Sequence, residues 1–341
     1  MSEQQNNAPV ILGCQNIFNE ESNLINGKRI GLITNHSGVD PLMSATADKL
    51  FSNNDCDLIA LFGPEHGIRG FAQDGEKITT FNDPHTGIPV YSLYGDTKQP
   101  SCRMLTGIER MLFDIQDVGT RFYTFLYTMS MSMEACAVNN IPFIVLDRPN
   151  PIGGTICSGN ILDPKFASFV GRYPIAIRYG LTIGELAKLF NNEFDIGVDL
   201  HIVQMKNWNR NYYWSDCKLP WVPPSPNMPT FETSLIYPGT CFFEGTKPVL
   251  AIPHGVRKYN QCGGDAPDKQ NSRNARAKSV RTRSASTKSS VFFMSDTSRL
   301  LAFRAFLLSS ITGSAAFLSE RLSSEATAAT VAETVAVTVT V

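Results

Sequence analysis

Between residues 28 and 150, short apolar runs alternate with longer stretches in which apolar and polar positions are mixed. The run from Arg29 to Asn35 is almost wholly apolar and closes on a polar turn, and 57–62, 111–116 and 142–147 repeat the pattern. Strands that are apolar without alternation are those buried on both faces, so the pattern predicts a mostly parallel sheet covered by helices. Helices are expected over 45–52, 104–110 and 127–139, the last stopped by Asn139-Asn140.

The texture changes after residue 150. A helix is expected from Thr182, with Glu185 three positions on as a capping box, followed by a strand over 200–205. A proline-rich loop then runs from Leu219 to Pro229. These elements read as a smaller second α/β unit over 151–246. From 247 to 341 the chain carries one tyrosine and no tryptophan, against nine tyrosines and all three tryptophans before it. Residues 271–290 mix Arg, Lys, Ser and Ala without periodicity, and 327–341 are an Ala/Thr/Val repeat. A disordered basic linker followed by a weak helix is one reading of this tail.

Composition narrows the class. With 43% hydrophobic and 18% charged residues the chain is globular in type. A net charge of −1 gives no footprint for nucleic acid. The stretch 300–318 contains Arg304 and is a poor membrane span, so no membrane insertion is expected. The eight cysteines form no Cys-x-x-Cys pair and read as reduced, structural thiols. Residues 1–9 lack a basic start and an apolar core, so no secretory signal is read and the chain as written is expected to be cytoplasmic.

In open parallel sheets, ligands bind beyond the carboxyl ends of the strands. The polar clusters fall at those ends: Asn35-His36 after the first strand, Glu65-His66 with Arg69 after the second, Gln116-Asp117 with Arg121 and Tyr123 after a third, and Asp147-Arg148 with Asn150 after the last. Glu65 stands apart, because Pro64 before it and Gly67 after it fix it on a tight turn, as a general acid requires. Glu76, Asp114, Asp117 and Glu244 are the carboxylates available as its partner. Asp147-Arg148 also reads as a structural ion pair. A metal site from His36, His66 and Asp117 lacks any close ligand spacing, and none is expected. Neither Gly-x-Gly-x-x-Gly nor a Walker sequence occurs, which argues against a nucleotide enzyme.

Taken together, the motifs at 28–38, 61–70, 89–95, 113–124, 143–154, 180–185 and 219–246 resemble the NamZ-type exo-β-N-acetylmuramidases, formerly a domain of unknown function, over about residues 13–246. The resemblance implies a Rossmann-like catalytic domain (13–150) followed by a smaller α/β domain (151–246) that is apparently truncated, with a cleft as the active site and no cofactor. It implies an exo-acting glycoside hydrolase that releases terminal N-acetylmuramic acid from peptidoglycan fragments such as the N-acetylmuramyl–N-acetylglucosamine disaccharide, in a family whose members are often exported. Carried onto matching positions, Glu65, His66 and Asp117 are the catalytic candidates. Asn35, His36, Arg69, Gln116, Arg121, Tyr123, Arg148, Asn150, Asn227 and Glu244 are the substrate-binding ones. Arg69, Arg121 or Arg148 could take the lactyl carboxylate bidentately. The rival functions are a non-catalytic muropeptide-binding protein and a metal-dependent amide or ester hydrolase.

The family pattern breaks after Thr246. A frameshift just beyond it, making 247–341 an out-of-frame translation, explains both the lost motifs and the change of composition, and would leave the second domain cut within its core.

Overall fold

The computed structural model of the protein describes residues 8–65, 67–69, 81–95 and 97–242. The elements are α1 (Gly13–Asn16), β1 (Arg29–Thr34), α2 (Thr46–Phe51), β2 (Asp57–Gly63), β3 (Phe81–Asn82), β4 (Pro89–Ser92), β5 (Arg110–Asp114), α3 (Phe125–Val138), β6 (Phe143–Leu146), α4 (Ile183–Glu193), β7 (Leu200–Val203) and α5 (Phe231–Thr240). The seven strands form one sheet in the order β3-β4-β2-β1-β5-β6-β7. Every pairing is parallel except β3 with β4. The expected α/β architecture with a mostly parallel sheet is therefore present.

The unbroken apolar runs have the anticipated cause. Ile30, Leu32, Leu112, Ile144, Leu146 and Val203 lie in one core with Cys14 and Ile17 from the first helical segment and Ala47 and Leu50 from α2. Side chains alternate along a strand, so Phe113 and Phe143 point the other way, with ring centroids 6.5 Å apart. Phe190 of α4 stacks on Tyr173 at 4.3 Å, and Tyr173 lies 6.5 Å from Tyr127 of α3. Full burial of one Leu, Ile or Phe stabilises by about 1.5–3 kcal/mol, and strands buried on both sides collect that from every position.

Two expectations are corrected. No helix forms over 104–110: Gly107 sits at φ +85°, a left-handed conformation that ends any helical turn, and β5 starts at Arg110. The chain also does not divide at residue 150. Strand β7 pairs with β6 and extends the first sheet, and the first compact unit runs to Pro238. Of the second unit, Gly239–Val341, only Gly239–Phe242 are described, so the expectations for 247–341 lie outside the described residues. The seven described cysteines are free thiols, and burial pushes those of Cys14, Cys136 and Cys217 up to about 12.

Candidate active site

The strand order reverses at the middle of the sheet. From β1 the chain builds outward through β2, then returns to the other side of β1 as β5 and continues to β7. The point of reversal lies between β1 and β5, where the carboxyl ends of parallel strands open a crevice. Both ends carry the polar residues picked from the sequence. Asn35 is buried and accepts through Oδ1 from the Ser37 amide (2.9 Å) and hydroxyl (2.6 Å). The Gln116 amide donates in turn to Ser37 Oγ at 3.0 Å, which ties the end of β1 to the end of β5.

Much of that crevice is filled. Ser37, Gln116 and Arg148 meet Trp214, Leu219 and Val222 around a space of only about 10 Å³. The proline-rich loop is held down by the β1 end: Asn35 Nδ2 donates to the Pro224 carbonyl at 3.4 Å, and His36 Nε2 lies 2.6 Å from the Pro223 carbonyl. A carbonyl only accepts, so this ring nitrogen carries the proton. The larger space, about 180 Å³, lies to the β2 side. Asn35, His36 and Arg69 meet Ala45, Ala47 and Ile68 around it.

Glu65 sits in the turn after β2, where the Gly67 amide donates to the Pro64 carbonyl at 3.0 Å, and its side chain is partly exposed. Ile68 beyond it is buried. His66, Glu76 and Glu244 lie outside the described residues. Asp117 is buried, and its Oδ2 accepts from the Gly119 amide at 2.9 Å and from the Tyr179 hydroxyl. Its Oδ1 has no partner among the described residues. Burial pushes the Asp117 carboxyl up to about 7 against the pull of the Val118 and Gly119 amides. Gly119 is at φ +80°, and a Cβ there would stand 2.4 Å from Asn150 Oδ1, so only glycine allows this turn to close.

Three arginines were candidates for a substrate carboxylate, and the structure gives each other work. Arg69 donates to Asp83 Oδ1 and Oδ2 (3.1 and 2.8 Å) and to Asp48 Oδ1 and Oδ2 (2.7 and 3.2 Å). Arg148 grips Asp114 at 2.6 and 2.9 Å and also reaches the Val39 carbonyl at 2.9 Å. The expected Asp147–Arg148 pair is corrected on this evidence. Asp147 instead accepts from the Gly184 amide (2.8 Å) and the Thr182 hydroxyl (3.0 Å) at the start of α4, where a helix favours an anion. Burial still pushes the Asp147 carboxyl up to about 6. Arg121 donates to the Asn160 carbonyl at 2.6 Å and to the Ile175 carbonyl, bracing the excursion between β6 and α4.

The remaining candidates also shape the rim. Gln116 Nε2 donates to the Asp117 and Pro149 carbonyls at 2.8 and 2.9 Å, while its Oε1 has no partner among the described residues. Asn150 Nδ2 donates to the Leu181 carbonyl at 2.9 Å. Tyr123 packs edge-on against Phe125 and Tyr237, with centroids 4.9 and 6.0 Å away. Asn227 lies partly exposed in the proline-rich loop. Asp48, Asp83 and Tyr179 were missed by the sequence reading. Their signal is spatial: each meets a rim residue from a distant element.

Residues 30–232 match the family model described as exo-beta-N-acetylmuramidase NamZ, N-terminal. The chain is 54% identical over 234 residues to the peptidoglycan beta-N-acetylmuramidase NamZ of Bacillus subtilis (strain 168), covering 69% of this chain and 56% of that protein. Two crystal structures of DUF1343 family proteins from Bacteroides fragilis NCTC 9343 are similar in fold. One has a TM-score of 0.65 at 42% identity, covering 69% of this chain and 60% of its own. The other has 0.60 at 36%, covering 70% and 63%. The chain thus spans less than two thirds of each of these relatives.

Proposed function

The chain belongs to the NamZ exo-beta-N-acetylmuramidase family, matching its N-terminal model over residues 30–232, and we propose that it is a glycoside hydrolase releasing N-acetylmuramic acid from the non-reducing end of peptidoglycan fragments. The observation that carries this reading is the 54% identity over 234 residues to a named peptidoglycan beta-N-acetylmuramidase. The geometry is compatible with it: Glu65 lies on a short turn beyond β2, and Ile68 and Arg69 just after it line a cavity of about 180 Å³ at that rim.

Glu65 is the general acid in this reading. Its proton passes to the glycosidic oxygen as the bond from C1 to that oxygen breaks, and the bonding pair leaves with the N-acetylglucosamine. Water then adds at C1 and gives up a proton to a second carboxylate. Asp117 is our assignment for that group, because its Oδ1 is unpartnered among the described residues and a pKa of about 7 allows proton exchange near neutrality. Substrate is the N-acetylmuramyl–N-acetylglucosamine disaccharide, and no cofactor is required.

The test is release of free N-acetylmuramic acid by this chain, run beside a version with the reading frame restored after codon 246. Turnover by either, lost by roughly 100-fold or more in Glu65→Gln, supports the reading. Retained turnover in Glu65→Gln removes Glu65 as the acid. No turnover by either chain, with both folded, overturns the muramidase assignment. Turnover confined to the restored version supports the frameshift.

A further inference from the structure

The 180 Å³ cavity lined by Ile68 and Arg69, in the segment that follows Glu65, has a lining that selects what can enter it. A water's share of liquid volume is about 30 Å³, so there is room for roughly six waters, or for a short acyl group. The apolar lining is made of two small side chains, Ala45 and Ala47 of the α2 start, together with Ile68. The polar wall is Thr34, Asn35, His36 and Arg69; Thr34 Oγ1 donates to the Asp114 carbonyl and His36 Nε2 to the Pro223 carbonyl, while Asn35 and Arg69 differ in what they have left to offer. Four of the five N–H groups of the Arg69 guanidinium are engaged by Asp48 and Asp83. One cation between two carboxylates, with His85 Nδ1 3.1 Å from Asp48 Oδ1, leaves this node net negative while that imidazole is neutral. Asn35 Nδ2 carries two N–H groups and commits one, at 3.4 Å, to the Pro224 carbonyl. The cavity therefore offers one amide donor, a methyl-sized apolar wall and a negative flank.

A muramyl residue carries two methyl-bearing appendages, a neutral N-acetyl group and an anionic lactyl ether. The geometry points to this cavity as the pocket for the N-acetyl group, with Asn35 Nδ2 donating to the acyl oxygen and Ala45, Ala47 and Ile68 enclosing the methyl. The lactyl carboxylate is turned away by the Asp48–Arg69–Asp83 node. Arg69, chosen from the sequence as a carboxylate receptor, acts instead as a positioning residue that fixes the segment after Glu65 against α2 and the turn after β3. This inference rests on the muramidase reading, and it makes the acyl group a determinant of which sugar is accepted.

The experiment is calorimetric binding of N-acetyl and N-formyl muramic acid to the full chain and to Ala45→Val, with circular dichroism to show that both are folded. N-formyl removes only the methyl, and loss of one buried methyl costs roughly tenfold in affinity. The full chain is expected to favour the N-acetyl sugar by about that factor, and Ala45→Val to erase the preference by weakening the N-acetyl sugar alone. Binding of both sugars with equal affinity, or a preference that Ala45→Val leaves intact, overturns the pocket while the muramidase reading stands. If Ala45→Val weakens N-acetylmuramic acid but spares N-acetylglucosamine, the lactyl arm occupies the cavity and the inference falls. No binding of any of these sugars by the folded chain overturns the pocket, and the muramidase reading is then decided by the turnover test alone.

Discussion

The two sides of β1 hold arginine–aspartate nodes of similar chemistry and opposite setting. On the β5 side, Arg148 and Asp114 are almost wholly withdrawn from solvent, with side-chain exposures of 3% and 0%. On the β2 side, Arg69 and Asp48 are 23% and 32% exposed, while Asp83 is fully buried. The first node ties strand ends to the loop at Val39 and belongs to the framework. The second joins α2, the turn after β3 and the segment that follows Glu65, and it borders the cavity. An arginine beyond a strand end thus need not be there to receive a carboxylate from outside the protein. What decides is whether protein carboxylates have already taken it.

Breaking the buried node gives the largest effect. Arg148→Met leaves Asp114 buried and uncompensated, which costs about 3–5 kcal/mol; urea denaturation should show it, and a loss under about 1 kcal/mol would mean that water reaches Asp114. Arg69→Met strands Asp83 but leaves Asp48 partly solvated, so about 1–3 kcal/mol is expected. Arg69→Lys should recover part of the stability but less of the turnover, since an ammonium cannot fork to two carboxylates. Equal recovery of both would mean that Arg69 supplies charge alone and does not position the Glu65 segment.

Neither node could be read from the sequence, for a simple reason. Arg69 meets residues 21 positions before it and 14 after it, and Arg148 meets one 34 positions earlier. Sequence patterns report local periodicity, and these pairs are made by tertiary folding. The features that are local were legible. Four apolar runs became β1, β2, β5 and β6, and the Thr182–Glu185 capping box formed as expected, with contacts of 3.0 and 3.2 Å. β3 is only two residues long, and β4 opens on Pro89 and closes on Ser92 without the continuous apolar run that marks β6, so neither shows a strand signal in the sequence. The proline-rich loop was recognised as a loop, but its role in covering the β1–β5 crevice was not. The tight turn that carries Glu65 is legible, while the cavity lined by Ile68 and Arg69 needs α2 to be folded into place.

Smaller effects sharpen the contrast. Thr182→Ala removes the α4 cap and one of the donors to Asp147, and about 1 kcal/mol of stability should go with it, measurable as a lowered Tm. The pH dependence should run in opposite directions on the two sides of β1. On the β5 side, burial raises Asp117 to about 7 from an ordinary 3.8, so the folded state holds a proton that the unfolded chain has released. That contribution is complete below about pH 4 and is lost as pH rises through 7. On the β2 side, Arg69 holds the Asp48 carboxyl below its ordinary value. Burial would raise Asp83, but Arg69 and Thr86 outweigh it, and the net shift is also downward. Stability from these two is present above about pH 4 and is lost in more acid solution. Asp117→Asn should therefore flatten the Tm profile between pH 4 and 7, and Asp48→Asn should weaken its acid limb. If Asp117→Asn leaves the neutral limb unchanged, Asp117 is already ionised in the folded protein.

The position of β1 in the middle of the sheet also sets the order in which the molecule can be made. β1 finds β2 soon after both leave the ribosome, but its other neighbour, β5, starts only at Arg110. Residues 35–109 must be synthesised in between, which takes roughly 4–15 s at about 5–20 residues per second. During that interval the free edge of β1 exposes Ile30, Leu32 and Ile33 with an unpaired backbone, a template for another nascent chain. Soluble yield should then follow translation rate and chaperone supply across this window more closely than it follows the melting temperature of the finished protein.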